Sequence, residues 1–172
     1  MTISQRTSLF VSALMMSAVL VGSNAFAGLT KIGNAGPWKI LGDRSSCQAS
    51  KTPKRADLDL FAIGVTKSET FLTFQNVSWN LPKTRTGKIP VKVALDRKTI
   101  LNANAINIMN FNLQIITPTK PALWQKFLRA KTITISGNFR GPATIKLDNP
   151  SRIVPLMKTC MARYLPRTAA PF

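Results

Sequence analysis

Enzymatic chemistry needs groups that titrate, coordinate a metal or attack, and this chain is short of them. Its 172 residues hold no His, two Cys and six acids, against 24 Lys and Arg, giving a formal net charge of +18 at pH 7. No His-based triad, His metal site or His pH switch can be built, and two Cys cannot fill a four-ligand zinc site. Asp57 and Asp59 on a strand would share a face about 7 Å apart, the spacing of an inverting glycosidase pair. Lys51, Lys54 and Arg55 lie beside them, however, and make them solvated partners of those cations. The Ser-x-x-Lys spacing of a Ser-Lys hydrolase does not occur. Gly87-Lys88 has Pro82 where a phosphate loop needs its first Gly. No catalysis, cofactor or metal is expected.

The cations are the signal that remains. Lys83, Arg85, Lys88, Lys92, Arg97 and Lys98 fall within 16 positions, with Asp96 as the sole acid among them. Beyond position 96 stand 12 cations and one acid, Asp148. Mixed signs are the norm for a solvated surface, so this chain carries a broad positive field, and the six residues from Lys83 to Lys98 are its candidate anion-binding site. Arg140, in the turn Gly137-Asn138-Phe139-Arg140-Gly141, could also meet an anion, although hairpin geometry already accounts for both glycines.

Which anion is met depends on compartment. Residues 1–27 combine Arg6 without an acid, an apolar stretch from Ser8 to Val21, and the ending Ala25-Phe26-Ala27, the layout of a secretory signal peptide cut after Ala27. The apolar run of about 14 residues is short of the roughly 20 that span a bilayer. Gly28 rather than Cys follows the cut, so no lipid anchor is expected. Cys47 and Cys160 both lie in the exported part. A disulfide between them persists in an oxidising compartment, the alternative being free or intermolecular thiols, and no Cys-x-x-Cys pair suggests redox catalysis. A periplasmic or secreted protein rarely meets nucleic acid, and an aromatic content of 8% offers no stacking platform beyond Trp79. Lipopolysaccharide, lipid head groups and acidic glycans are the nearer partners; an acidic protein, bound by an inhibitor or adaptor, is the alternative. Trp124 and Phe127 beside Lys126 and Arg129 allow peripheral membrane contact, although the core is the more natural place for both rings.

Positioning these groups falls to strands. Ile133 and Ile135 alternate with Thr132 and Thr134; Ile89, Val91, Val93 and Leu95 with Pro90, Lys92 and Ala94; Met109, Phe111, Leu113 and Ile115 with Asn110, Asn112 and Gln114. Each is a strand with one wet face. Shorter apolar runs at 38–41, 58–66, 71–77, 99–105 and 143–147 complete a mainly β chain, with an α+β margin: an antiparallel β-sandwich or barrel-like sheet. Pro90, lacking an N–H, belongs at an edge or a strand start. Leu123, Trp124, Phe127 and Leu128 mark a short middle helix. Ile153, Met157, Cys160, Met161 and Tyr164 mark a C-terminal helix capped by Ser151 and tied to the sheet through the disulfide. One domain over 28–165 is expected, followed by a disordered tail over 166–172.

Trp38 followed by Cys47, the Trp79-Asn80-Leu81-Pro82 segment, the Leu95-Asp96-Arg97 turn and a last helix ending in Cys160 resemble small exported bacterial proteins of the invasion-associated locus B type. The resemblance covers roughly residues 38–160. It implies a β-rich envelope protein linked to host interaction and virulence, with no catalytic residues to carry over. The high positive charge and the Asp148-Asn149-Pro150-Ser151 entry to the last helix depart from that pattern.

Overall fold

The computed structural model describes residues 28–51, 60–79, 81, 87–109, 111–139 and 141–172. Ten strands lie in one antiparallel sheet: β1 Thr30–Ala35, β2 Trp38–Gly42, β3 Cys47–Lys51, β4 Leu60–Val65, β5 Glu69–Gln75, β6 Lys88–Leu95, β7 Lys98–Met109, β8 Asn112–Pro118, β9 Thr132–Gly137 and β10 Ala143–Lys146. Their spatial order is β1-β2-β3-β4-β5-β8-β7-β6-β9-β10. Among the described residues two α-helices accompany the sheet, α1 Pro121–Arg129 and α2 Val154–Tyr164.

Period-two patterning decides which side of the sheet is dry. Trp38 and Ile40 of β2 stand in register with Lys51 and Ala49 of β3, and these with Phe61 and Ile63 of β4. Phe74 and Leu72 of β5 continue the two rows to Leu113 and Ile115 of β8. On β6, Ile89, Val91, Val93 and Leu95 are all buried while Lys88, Pro90 and Lys92 are exposed.

The middle helix forms as its sequence predicts. Pro121 opens it, where a missing N–H costs nothing, and Lys126 and Arg129 in the last turn complement the negative end of its dipole. Trp124 and Phe127 are buried, so both rings belong to the core rather than to a membrane interface. Phe127 meets Trp38 edge-on at 6.0 Å between centroids and Phe61 at 5.8 Å, which keys α1 into the concave side of the sheet. Trp124 Nε1 donates to Thr70 Oγ1 at 3.0 Å, satisfying the buried indole.

The two ends of the sheet meet. Trp38 Nε1 on β2 donates to the carbonyl of Leu147, just past β10, at 3.0 Å. Lys51 at the end of β3 donates to the Lys146 carbonyl and pairs with Asp148, Nζ to Oδ2 2.6 Å. The strands therefore curl around the helices into a barrel-like sheet, as the strand pattern implies.

Cys47 and Cys160 form a disulfide, with Cα atoms 6.0 Å apart and 113 positions between them, which ties α2 to β3. Both are fully buried, and among the described residues no Cys is free. Such a bond fits an oxidising compartment. Gly42 makes room for it: a Cβ there would fall on Cys160 Sγ and 3.0 Å from the Tyr164 ring.

Several local expectations change. The alternation from Met109 to Ile115 is not one strand, because β7 ends at Met109 and β8 starts at Asn112, the two residues pairing across a hairpin. Cross-strand partners share a face, so positions 109 and 112, which an unbroken alternation would place on opposite faces, change the phase at the reversal. The last helix begins with a 3₁₀ turn, Pro150–Ile153, and its α-helical part follows from Val154 with Pro155 in its first turn, so Ser151 is not its cap. Pro90 lies inside an interior strand, but β9 pairing on that side stops at Val91 opposite Gly137, which leaves Pro90 with β7 alone. The segment after Leu165, expected to be disordered, has Pro171 buried and the Phe172 ring 5.2 Å from that of Trp124. A terminal aromatic side chain finds a place on the core.

Candidate functional site

Four of the six candidate cations are among the described residues, and the sheet divides them. Lys88 and Lys92 emerge from the outer face of β6, four residues and so about 13 Å apart along the strand. Arg97 and Lys98 stand at the tip of the β6–β7 hairpin. Lys83 and Arg85 lie outside the described residues, as do Asp57, Asp59, Arg140 and residues 1–27.

Cross-strand register assigns Lys92 its neighbours. It faces Asn102 of β7 on one side and Ser136 of β9 on the other, while Pro90 faces Asn104 and Lys88 faces Ile106. Lys92, Pro90 and their partners on β7 and β9 line an open groove of about 790 Å³ whose walls are Pro90, Val91, Lys92, Asn102, Ala103, Asn104, Ser136 and Gly137. Among the described residues, no carboxylate lines it. Across β9 and β10, Thr134 and Thr144 join their hydroxyls at 2.9 Å, and Lys146, opposite Thr132, emerges on the same outer face. Lysine ammonium groups thus flank a row of amide and hydroxyl groups, each able both to donate and to accept.

The described acids are few beside the lysines and arginines, and three of the four are held by contacts of the fold. Asp96 and Arg97 both take positive φ, 47° and 68°, in a two-residue hairpin turn. The Asp96 carboxylate accepts from Lys131 N and Thr132 N, each at 2.9 Å, and from Thr132 Oγ1 at 3.2 Å. The Thr132 N–H foremost, with the other two donors and the Lys131 charge, holds its carboxyl below the ordinary value. Asp43 accepts from Ser45 N and Ser46 N, both at 2.8 Å, and from the Ser45 hydroxyl at 2.7 Å. Partial burial pushes Asp43 up, but these hydrogen bonds together outweigh it and leave the carboxyl lowered. Asp148 is paired with Lys51.

Trp79 offers no platform for a base or sugar. It is buried and packs on Phe139 at 4.8 Å. Among the described residues, no three His, Cys, Asp or Glu gather as they would around a metal, and no helix is long and apolar enough to cross a membrane.

Asn102, Asn104 and Ser136 are the site residues that charge counting misses. Asn102 and Asn104 alternate with Leu101, Ala103 and Ala105, so their outward direction is written in the sequence. That Ser136 lies beside Lys92 is not, because the pairing of β6 with β9 joins residues 44 positions apart.

No protein-family model, curated protein or solved structure matches the chain.

Proposed function

We propose that this is an exported, non-catalytic protein that binds anionic polymers of the cell envelope or a host surface, such as lipopolysaccharide or acidic glycans, along the outer face of β6, β7 and β9. The observation that carries this is the groove in which Lys92 stands between Asn102 and Ser136, with Lys88 on the same outer face of β6 and, among the described residues, no carboxylate in its lining. Ammonium groups attract the polymer's charges, while amides and hydroxyls match saccharide hydroxyls. The buried disulfide, the signal-peptide pattern over residues 1–27 and the resemblance to invasion-associated locus B proteins support the compartment and a role at a host surface. Peripheral contact with lipid head groups follows from the same charge.

An acidic protein is the second reading, favoured by Ile106 and Ile116, which are exposed on the outer side of β7 and β8, with Ile106 directly beside Lys88. The two are separated by binding to dextran sulfate, to neutral dextran and to lipopolysaccharide vesicles across a salt series. The proposal expects binding to both anionic probes, none to neutral dextran, and a steep loss of affinity between about 0.05 and 0.3 M salt, where the screening length shortens by a factor of about 2.4. Equal binding to both dextrans would overturn it.

A further inference from the structure

A second basic site is assembled far from this groove in sequence. Three turns converge beside the C-terminus of α2, and each presents one cation. The turn after β2 is fixed by the Asp43 carboxylate on Ser45 N and Ser46 N and carries Arg44. The turn between β4 and β5 is fixed by Thr66 N on the Glu69 carbonyl at 2.8 Å and by Glu69 N on Thr66 Oγ1 at 3.1 Å, and it carries Lys67. The turn after α2, closed by Thr168 N on the Leu165 carbonyl at 2.9 Å, carries Arg167. With Tyr164, Leu165, Pro166 and Thr168 these cations line a pocket of about 460 Å³.

We propose that this pocket binds a phosphate monoester carried on an apolar or sugar body. Arg44, Lys67 and Arg167 come from positions 44, 67 and 167, and among the described residues none makes an ion pair or a side-chain hydrogen bond. The acids nearest in sequence do not line the pocket: Asp43 is held by its own turn, and Glu69 stands at the start of β5. The helix end does not account for three cations, since it carries about half a negative charge and Arg163 already stands in its last turn. Like charges gathered around one cavity repel, and a dianion relieves that repulsion while taking guanidinium donors in bidentate fashion. Tyr164 and Pro166 supply the apolar wall for the body of the ligand. The Arg163 guanidinium, 5.2 Å from the Tyr164 ring centroid, steadies that wall from the same helix turn.

The chain contains a single tyrosine, so the ring resonances of Tyr164 report on this pocket alone. Titration of the oxidised protein with butyl phosphate is expected to shift them saturably, with an affinity about tenfold above that for inorganic phosphate because part of the chain is buried. The Arg44→Gln/Lys67→Gln/Arg167→Gln variant is expected to lose at least tenfold, and Lys88→Gln/Lys92→Gln to lose nothing, which keeps the result independent of the outer groove. All three replaced residues are exposed in turns; if the triple variant fails to fold, Lys67→Gln alone, expected to bind about threefold more weakly, decides the matter. Unmoved Tyr164 resonances, equal affinity for the two phosphates, or unchanged affinity in the variants would overturn the proposal.

Discussion

Asp96 lies between Lys92 and Arg97 in sequence, yet its carboxylate is turned to the backbone N–H of Thr132, 2.9 Å away on β9. The one acid of the most cationic stretch thus holds a hairpin to its neighbouring strand. Asp43 likewise accepts from the backbone of its own turn, and Asp148 pairs with the Lys51 ammonium. Among the described residues, Asp43 and Asp96 thus fix turns and Asp148 ties the seam of the sheet.

Stability should therefore depend on pH only where these carboxylates protonate. Asp43 and Asp96 are lowered in the folded state, so each adds stability above its ordinary value of 3.8 and loses it as pH falls through the lower folded value. With no His to titrate, the thermal midpoint is expected to stay level from about pH 7 to 5 and to fall below about pH 4. Asp96→Asn should reduce that acid slope. A midpoint that drops between pH 7 and 5 would contradict this origin.

The seam between the sheet ends should show up in Trp38. Replacing it with Phe keeps a ring against Phe61 and Phe127 but leaves the buried Leu147 carbonyl without its donor. A loss of about 1 to 3 kcal/mol in denaturant unfolding is expected; a loss indistinguishable from zero would mean that the hydrogen bond does not close the sheet.

The disulfide spans 113 positions. In the chain-entropy model a loop of that length contributes about 4 to 5 kcal/mol, and Cys47→Ala/Cys160→Ala should lose most of it. Thiol titration of the unfolded, unreduced protein should find no free thiol; two per chain would remove the bridge from the account.

Gly42→Ala places a methyl group on the disulfide sulfur. Overpacking of this kind costs about 1 to 3 kcal/mol. In the protein lacking both Cys the same substitution should cost less, because the sulfur it meets is gone. Equal costs in the two backgrounds would place the strain elsewhere.

Much of this architecture is legible along the chain where one face is wet and the other dry. Ile89, Val91, Val93 and Leu95 define β6 and, with it, the outward direction of Lys88 and Lys92. β1 and β3 are not legible. β1, Thr-Lys-Ile-Gly-Asn-Ala, is an edge strand with little to bury, and β3 buries Cys47, Gln48, Ala49 and Ser50 on both faces, so neither alternates. The site is half legible for a related reason. A strand's own pattern states which way a lysine points, while the neighbours it meets depend on the pairing of β6 with β9 and on the convergence of three distant turns, which no local period encodes.

The central claim is that a localised face, rather than total charge, holds the polymer. It is tested most directly by comparing Lys88→Gln/Lys92→Gln with Lys126→Gln/Lys158→Gln, an equally charged and equally exposed pair on the two helices, in binding to dextran sulfate across a salt series. Thermal midpoints of both should stay within a few degrees of the parent, since exposed charges contribute little to stability. The account predicts that the groove pair loses about tenfold in affinity near 0.15 M salt, with a salt slope flatter by up to about two, the counterion release on nucleic acids being an upper guide. The helix pair should lose no more than about twofold to threefold. Equal losses in the two variants would contradict a localised site and leave only the attraction of the whole charge.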